Sequence, residues 1–254
     1  MLVARLRKEG VISTEWFDTV KEFNRATWSP AVEVLAVEKV ASNAELERFG
    51  FCVNHGGKMR GVLSISISPF NRFCNKRASD PGSVCPHCYA RQYAQARPGL
   101  NAKLQRNTEK LTREIIPIEE LPVIDPVKWP LLRFESFGDI ISTEQVINYY
   151  NIARRNPSIK CALWTKNYRF IESAGAAGEA IPDNLVVIVS SPSLNKERSI
   201  NHYRFADKVF TVYSKDFVRG SLGGVDINCG ARSCYSCRKC YSKEGDCFIR
   251  ELLK

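Results

Sequence analysis

An α/β fold with a mainly parallel sheet is the class that this sequence predicts. Candidate strands alternate with helical segments along the chain, as in proteins whose parallel strands are joined by helices. The run at 185–189 is continuously aliphatic, as expected of a parallel strand that is buried on both faces. Five candidate strands are too few for a closed eight-stranded barrel, and they suit a partial (β/α) barrel.

The first predicted strand lies at 61–68, where apolar residues alternate with Ser64, Ser66 and Ser68. If the apolar residues pack under helices, the three hydroxyls face the interior of the barrel. The alternative is that they lie on a solvated face of the sheet. After a cysteine-bearing loop a helix begins at Tyr89, and Asn101 is predicted to cap the next one.

Farther along the chain, Ser142 opens a helix as part of a capping box, and Asn156 followed by proline ends it. The remaining strands are predicted at 129–135, 160–165, 185–189 and 208–213, with a short helical piece at 167–180.

Three regions follow from this order of elements. Residues 1–60 are predicted to form an N-terminal helical extension, with helical character at Thr14–Phe23 and Ala44–Phe49. Residues 61–220 form the partial barrel, including a first cysteine loop, and residues 221–254 form a cysteine-rich segment.

The net charge of +10 raises the possibility of nucleic-acid binding, because basic surfaces attract phosphate backbones. Five basic residues between Arg97 and Arg113 form a stripe on a predicted helix, and the alternative is a generally basic surface. There is no apolar run long enough to cross a bilayer and no signal peptide at the N-terminus, so we expect a cytoplasmic protein without a membrane partner.

Ten cysteines are the strongest compositional signal, and seven of them fall in two groups. Structural disulfides are disfavoured in a reducing compartment, so clustered cysteines there indicate metal or redox chemistry. The second group is Cys229, Cys234, Cys237 and Cys240. Its overlapping short spacings are typical of iron–sulfur ligation, and zinc is the alternative.

The first group is Cys74, Cys85 and Cys88, in the loop that follows the first predicted strand. Three cysteines at a strand end could hold a metal or cluster and leave one coordination position free for chemistry. Active sites of such folds lie at the carboxyl ends of their strands.

Polar residues at the ends of the neighbouring predicted strands are candidates for binding a cofactor. Glu135 and Asp139 could hold the amino group or ribose of a nucleoside cofactor, or they could be acids of a surface loop. Lys166 could bind a carboxylate or phosphate, or be solvated. Ser190 ends the aliphatic strand and is the fourth candidate.

The motifs Cys-Pro-His-Cys-Tyr-Ala, Arg-Phe-Glu-Ser-Phe-Gly-Asp-Ile, Leu-Trp-Thr-Lys and Cys-Tyr-Ser-Cys-Arg-Lys-Cys-Tyr occur in this order between residues 61 and 241. Together they resemble a phage-borne family called gene product eighty-eight. A strand followed by three cysteines at the mouth of a partial barrel also resembles the radical S-adenosylmethionine enzymes.

This resemblance implies a [4Fe–4S] cluster on the first cysteine group, to which S-adenosylmethionine binds, and an auxiliary [4Fe–4S] cluster on the second. It implies an enzyme in the cytoplasm of a phage-infected host, acting on an unknown substrate and reduced by an electron donor. Two other hypotheses remain open. One is a zinc-stabilised nucleic-acid-binding protein, and the other is an iron–sulfur redox or sensor protein without catalysis.

Overall fold

The computed structural model describes residues 39–221 and 224–253. The chain divides into two compact units, Met1–Glu38 and Lys39–Lys254, and the described residues belong to the second. The helix predicted at Thr14–Phe23 lies outside the described residues.

One seven-stranded sheet runs through this unit, with its strands in chain order. The strands are β1 (Cys52–Val53), β2 (Leu63–Ile65), β3 (Leu131–Phe134), β4 (Lys160–Thr165), β5 (Leu185–Ser190), β6 (Lys208–Tyr213) and β7 (Phe248–Leu252). The pair β1–β2 is antiparallel and all other neighbours are parallel. The predicted α/β class with a mainly parallel sheet is therefore confirmed. Within the described part of the chain, no pairing joins β7 to β1 to close a barrel.

Eight α-helices are present in the described ranges. They are α1 (Asn43–Phe49), α2 (Arg72–Ala78), α3 (Tyr89–Gln95), α4 (Pro98–Arg113), α5 (Thr143–Arg155), α6 (Arg169–Ala176), α7 (Lys215–Gly220) and α8 (Cys234–Cys237). No helix among the described residues is both long enough and apolar enough to cross a bilayer.

Strand alternation divides the core between the two faces of the sheet. On one face Leu132, Leu163 and Val187 pack in the main core, together with residues of α5 such as Tyr149. Parallel strands in chain order require crossovers of one hand, so their helices gather on one side of the sheet. The opposite face carries a second apolar cluster that includes Leu131, and the cysteine-rich segment covers it.

The three serines at 64–68 are at β2, where Ser64 pairs with Arg133 on this second side, and in the segment that follows it. Leu63, Ile65 and Ile67 are fully buried in the main core, and Ser64, Ser66 and Ser68 are buried as well. The predicted burial of the three serines is confirmed and the solvated alternative is wrong, but the described residues show no closed barrel around them. Ser66 has a structural use, because its hydroxyl accepts a hydrogen bond of 2.8 Å from the N–H of Ser136.

Two of the predicted helix starts have different outcomes. Ser142 caps α5 as predicted, since its Oγ accepts from the N–H of Gln145. Asn101 does not cap α4, which begins a turn earlier, at Pro98. Proline is favoured in the first helical turn because its fixed φ suits a helix and its missing N–H has no intrahelical partner to lose.

Five elements were not predicted. β1 has only two residues and therefore no periodicity, β7 lies within the segment predicted to be only cysteine-rich, and α2, α7 and α8 are short helices. The capping residue Asn71 was the available signal for α2, because its side chain accepts from the N–H groups of Phe73 and Cys74.

Candidate metal centres

The first cysteine group lies on an arch of chain above the carboxyl edge of the sheet. We call residues 66–97 the cysteine arch. Cys74 is in the first turn of α2, Cys85 begins a short 3₁₀ turn, and Cys88 is the N-cap of α3. The amide of Asn71, which caps α2, also lies 3.3 Å from the Cys74 sulfur.

Hydrogen bonds fasten the cysteine arch to the ends of three strands. Arg77 pairs with Asp139 beyond β3 at 3.0 Å and also bonds the side chain of Asn167 beyond β4. The hydroxyl of Ser83 and the N–H of Val84 both donate to the carbonyl of Pro192 beyond β5. The Tyr89 hydroxyl donates to the Ser136 carbonyl at 2.8 Å. The arch is therefore positioned directly over the edge where the sequence predicted the site.

Cys74 lies in a crowded environment between the arch and the strand ends. Burial, together with the nearby Asp139, raises the pKa of its thiol to about 12, against the opposing effects of Asn71 and Lys166. The Cys85 thiol is also near enough to raise this pKa. The structure thus brings together four of the predicted site residues: Cys74, Cys85, Asp139 and Lys166.

Glu135, at the end of β3, is the most unusual residue of this edge. Its backbone is left-handed, with φ of 58°, and its side chain is buried. Oε1 accepts hydrogen bonds from Gln145, at 2.7 Å, and from the Tyr149 hydroxyl, whereas Oε2 has no partner. Burial raises the pKa of this carboxyl from 4.5 to about 8, so we expect it to be protonated at neutral pH.

A close approach of the backbone seals this carboxyl. A Cβ at Gly138 would lie 2.7 Å from the Ile67 carbonyl and 2.9 Å from Oε2 of Glu135, so no larger residue fits there. Because Gly138 has no side chain, the Phe137-Gly138-Asp139 turn can lie directly against Ile67, which follows β2.

The other predicted cofactor residues lie at the same edge. Asp139 is buried, and it accepts from Arg77, from the Thr165 hydroxyl at 2.7 Å and from the N–H of Lys166. Neither it nor Glu135 is the surface-loop acid of the alternative interpretation. Lys166 is half-buried and near Cys74, and Ser190 is buried at the end of β5.

The second cysteine group lies on the sheet face opposite the helices. The N–H of Cys229 bonds the Arg250 carbonyl of β7, and the N–H of Cys234 bonds the Lys58 carbonyl beside β2. The segment therefore crosses the sheet from one edge to the other. Cys229, Cys234 and Cys240 pack against the apolar cluster of this face, whereas Cys237 is exposed.

Two cations face these thiols. The Lys58 ammonium lies 3.3 Å from the Cys229 sulfur and also pairs with Glu251. The Arg133 guanidinium stacks over the Trp164 ring at 4.0 Å, near Cys234 and Cys240. Arg133 forms no ion pair with any carboxylate of the described residues, and its Nε is buried without a hydrogen-bond partner. The buried Tyr241 hydroxyl beside it also lacks one.

Unpartnered buried polar atoms are rare in proteins, and a cluster of them indicates a missing ion, water or ligand. Burial raises the pKa of the Cys234 and Cys240 thiols, and Arg133 lowers both. A metal that binds thiolates would place negative charge where Arg133 and Lys58 supply positive charge. The residues present therefore fit an anionic metal–thiolate centre.

The thiols themselves are not arranged as finished ligand sets. All ten cysteines are free. Across residues 39–221 and 224–253, no three side chains among His, Cys, Asp and Glu are placed to hold a metal ion together. The fit to a metal centre consequently rests on the chemistry of the donors and on the charges around them.

Several residues of these sites were not predicted from the sequence. Arg77 and Arg133 occur among many other basic residues, and nothing in their local sequence marks the contacts they make. Tyr241 follows a cysteine, as Tyr89 does, and this repeated Cys-Tyr pair was the only available signal.

An open, mainly parallel α/β sheet with cysteines at its carboxyl edge and on one face defines the class of this protein. Within that class, residues 54–248, more than three quarters of the chain, match the family model described as Gene product 88. The chain belongs to this family. No curated protein and no solved structure matches it.

Proposed function

We propose that this protein is an iron–sulfur protein with one [4Fe–4S] cluster on each cysteine group. The observation that carries the proposal is the environment of the second group. There a cation without a carboxylate partner among the described residues, Arg133, lies near the half-buried Cys234 and Cys240, and its Nε has no hydrogen-bond partner. A cluster bound by four thiolates is anionic and would balance this charge. The overlapping Cys-x2-Cys-x2-Cys spacing favours iron–sulfur over zinc.

The first group supports an enzyme that resembles the radical S-adenosylmethionine class, built on a partial barrel. Its three cysteines would hold the cluster and leave one iron free for the cofactor. Such a cluster, when reduced, supplies the electron that cleaves S-adenosylmethionine. Lys166, near Cys74, has the charge to bind a cofactor carboxylate. Ser190 and the arch would line the site and exclude water from it.

Glu135 and Asp139 have a positioning role in this proposal. Asp139 holds Arg77 and thereby the helix that carries Cys74. Glu135, through Oε1, holds α5 against the end of β3. Both residues would fix the shape of a site for the nucleoside part of the cofactor.

Iron content tests this proposal most directly. Protein purified without oxygen is expected to contain about eight irons per chain, with the absorption and electron-resonance spectra of two [4Fe–4S] clusters. Combined C85S and C88S substitutions, or combined C234S and C240S substitutions, should each leave about four irons. C247S is the matched control, because it removes a half-buried cysteine outside both groups and should leave the iron content unchanged.

The outcomes separate the three hypotheses. Stoichiometric zinc without iron would exclude both iron–sulfur hypotheses and leave the zinc-stabilised nucleic-acid-binding protein. If iron is present, S-adenosylmethionine and a reductant should release 5′-deoxyadenosine. Two clusters without this cleavage would indicate a redox or sensor protein. We place the protein in the cytoplasm of the infected host, where a reducing environment keeps its thiols free.

A further inference from the structure

The basic charge of the protein is concentrated around the first cysteine group. Residues 71–113 carry nine Lys and Arg residues against two acidic ones, a net +7 of the chain's +10. This stretch contains α2, α3 and α4 and all three cysteines of the first group. The rest of the chain is therefore nearly balanced, and its charge alone indicates no polyanionic partner.

The stripe predicted on α4 is partly used inside the protein. Lys103 donates to the Phe51 carbonyl at 3.2 Å, and Lys110 stacks on the Phe49 ring at 3.5 Å and bonds its carbonyl. Two of the five basic residues of this stripe thus secure the end of α1. The exposed basic residues near the cysteines are Arg97, at the start of this stripe, and residues of α2.

Exposed aromatic rings accompany these charges on α3. Tyr89 and Tyr93 are four residues apart, on the same side of the helix, and are 55% and 47% exposed. Arg97 stacks on the Tyr93 ring at 3.5 Å, and Phe137 lies 6.2 Å from the same ring. Single exposed apolar side chains are ordinary, but neighbouring exposed rings form a contiguous patch, and contiguous patches mark interaction sites.

The basic residues of α2 lie across α3 from the aromatic rings, because the α3 residue that contacts α2 is two positions from each tyrosine. Arg91 on α3 donates to Asn75 on α2 at 2.7 Å and to the Pro69 carbonyl at 3.0 Å. This joins the two helices, so α2, which carries the exposed Arg72 and Lys76, flanks α3 on the side away from the tyrosines. We call Arg72, Lys76, Tyr89, Tyr93 and Arg97 the α2–α3 surface.

We propose that the α2–α3 surface binds single-stranded nucleic acid, whose bases stack on the tyrosines and whose phosphates contact the basic side chains. Stacking platforms within a positive groove are the general means by which proteins bind single strands. A single strand fits better than a duplex, because only unstacked bases can reach the faces of Tyr89 and Tyr93. An acidic protein would match the charge, but it would not require exposed rings.

This surface is continuous with the first cysteine group, since Tyr89 directly follows Cys88. A bound strand would present its bases or sugars to the mouth of that site. Single-stranded nucleic acid is therefore the substrate class that we infer, and this part of the inference rests on the proposed function.

The test measures binding of a fluorescently labelled 12-nucleotide oligo(dT) by anisotropy at several salt concentrations. Y93A should raise Kd about tenfold with an unchanged salt slope, and Y93F should bind like the parent protein. R97Q should lower the slope of log Kd against log salt by about 0.7, the value for one phosphate contact on a single strand. K160Q is the control, because Lys160 is exposed at the opposite edge of the sheet.

No binding of the oligonucleotide would overturn the inference. Equal effects of K160Q and R97Q, or unchanged affinity in Y93A, would show that the strand binds elsewhere and would overturn it too. Equal competition by polyglutamate would indicate an acidic protein partner instead. Iron is measured in the same samples. Binding without iron would contradict the proposed function and the substrate class that rests on it, but not the binding of the strand to this surface. Iron without binding would contradict this inference alone.

Discussion

Glu135 shows what a single buried carboxyl does to stability. Its Oε2 has no partner, so ionisation would leave an uncompensated charge in the core. In the unfolded chain the pKa is near 4.5, and in the folded protein burial raises it to about 8. Between these values the unfolded chain loses the proton and the folded protein keeps it. Folding stability therefore falls as pH rises through this window, and the loss is complete above about pH 8.

E135Q should remove this pH dependence. Glutamine retains an acceptor for Tyr149 and Gln145, and it does not titrate. We expect the free energy of unfolding of the variant, relative to the parent, to increase from pH 5 to pH 8 by up to ~1.4 kcal/mol per unit and then to level off. Urea unfolding at a series of pH values measures this difference, in which other titrating groups cancel. Parallel curves for the two proteins would contradict the assigned pKa.

The sequence identified Glu135 as a candidate residue, but it did not reveal its burial. Glu135 and Asp139 follow a strand and precede a helix, and acids there are equally typical of a solvated loop. What distinguishes them is contact with residues far away along the chain: Gln145 and Tyr149 in one case, Arg77 in the other. Such contacts depend on the packing of β3 against α5 and α2, which no local pattern contains.

Strands were predicted well where burial dictates composition. β5, with six buried positions in succession, and β6 were predicted with nearly correct ends. β7 was missed because two adjacent residues of its five, in Phe-Ile-Arg-Glu-Leu, are charged and interrupt the alternation. Its arginine and its glutamate pair with Glu197 and Lys58, respectively, so they satisfy their charges within the fold. Because these partners are distant in sequence, no local pattern shows that the two charges are neutralised. The sequence therefore predicted only cluster binding for this segment.

Arg77 is predicted to keep α2 folded against the ends of the strands. It is the only residue of that helix with an ion pair among the described residues, and the pair reaches from the arch to a buried carboxylate. Removal of a buried pair's cation leaves the acid uncompensated, at a cost of ~3–5 kcal/mol when burial is complete. Because the side chain of Arg77 is 22% exposed, we expect R77Q to cost less than this range.

Hydrogen exchange followed by mass spectrometry can locate this effect. In R77Q, amides of residues 71–79 should exchange faster than in the parent, while those of α5 should change little. K76Q is the matched control: it removes the same charge from the next residue, which is exposed. Equal exchange in K76Q and R77Q would show that the Arg77–Asp139 pair does not hold the arch.

The sheet separates the two cysteine groups, with one above its carboxyl edge and the other on its face. Arg133 stands between them. It lies near Tyr89, which follows the first group, and near Cys234 and Cys240 of the second. Among the residues that the structure describes, this cation contacts the Trp164 ring and the Met59 sulfur, 3.9 Å away, and no carboxylate. A thiolate-bound cluster would give Arg133 an anionic partner. Arg133 should therefore destabilise the protein without the metal and stabilise it with the metal bound.

R133M is predicted to have opposite effects in the two states. Methionine can keep the apolar contact with Trp164 and carries no charge, so the metal-free variant should melt a few degrees above the metal-free parent. With iron bound, the variant leaves the anionic centre with one cation fewer, and it should melt below the parent or lose the iron of the second group. R133K retains the charge without the planar stacking group, so its melting temperature should lie between those of the parent and R133M in each state. Thermal unfolding of both proteins before and after anaerobic reconstitution measures these shifts. Shifts of the same sign in both states would show that Arg133 does not balance a cluster.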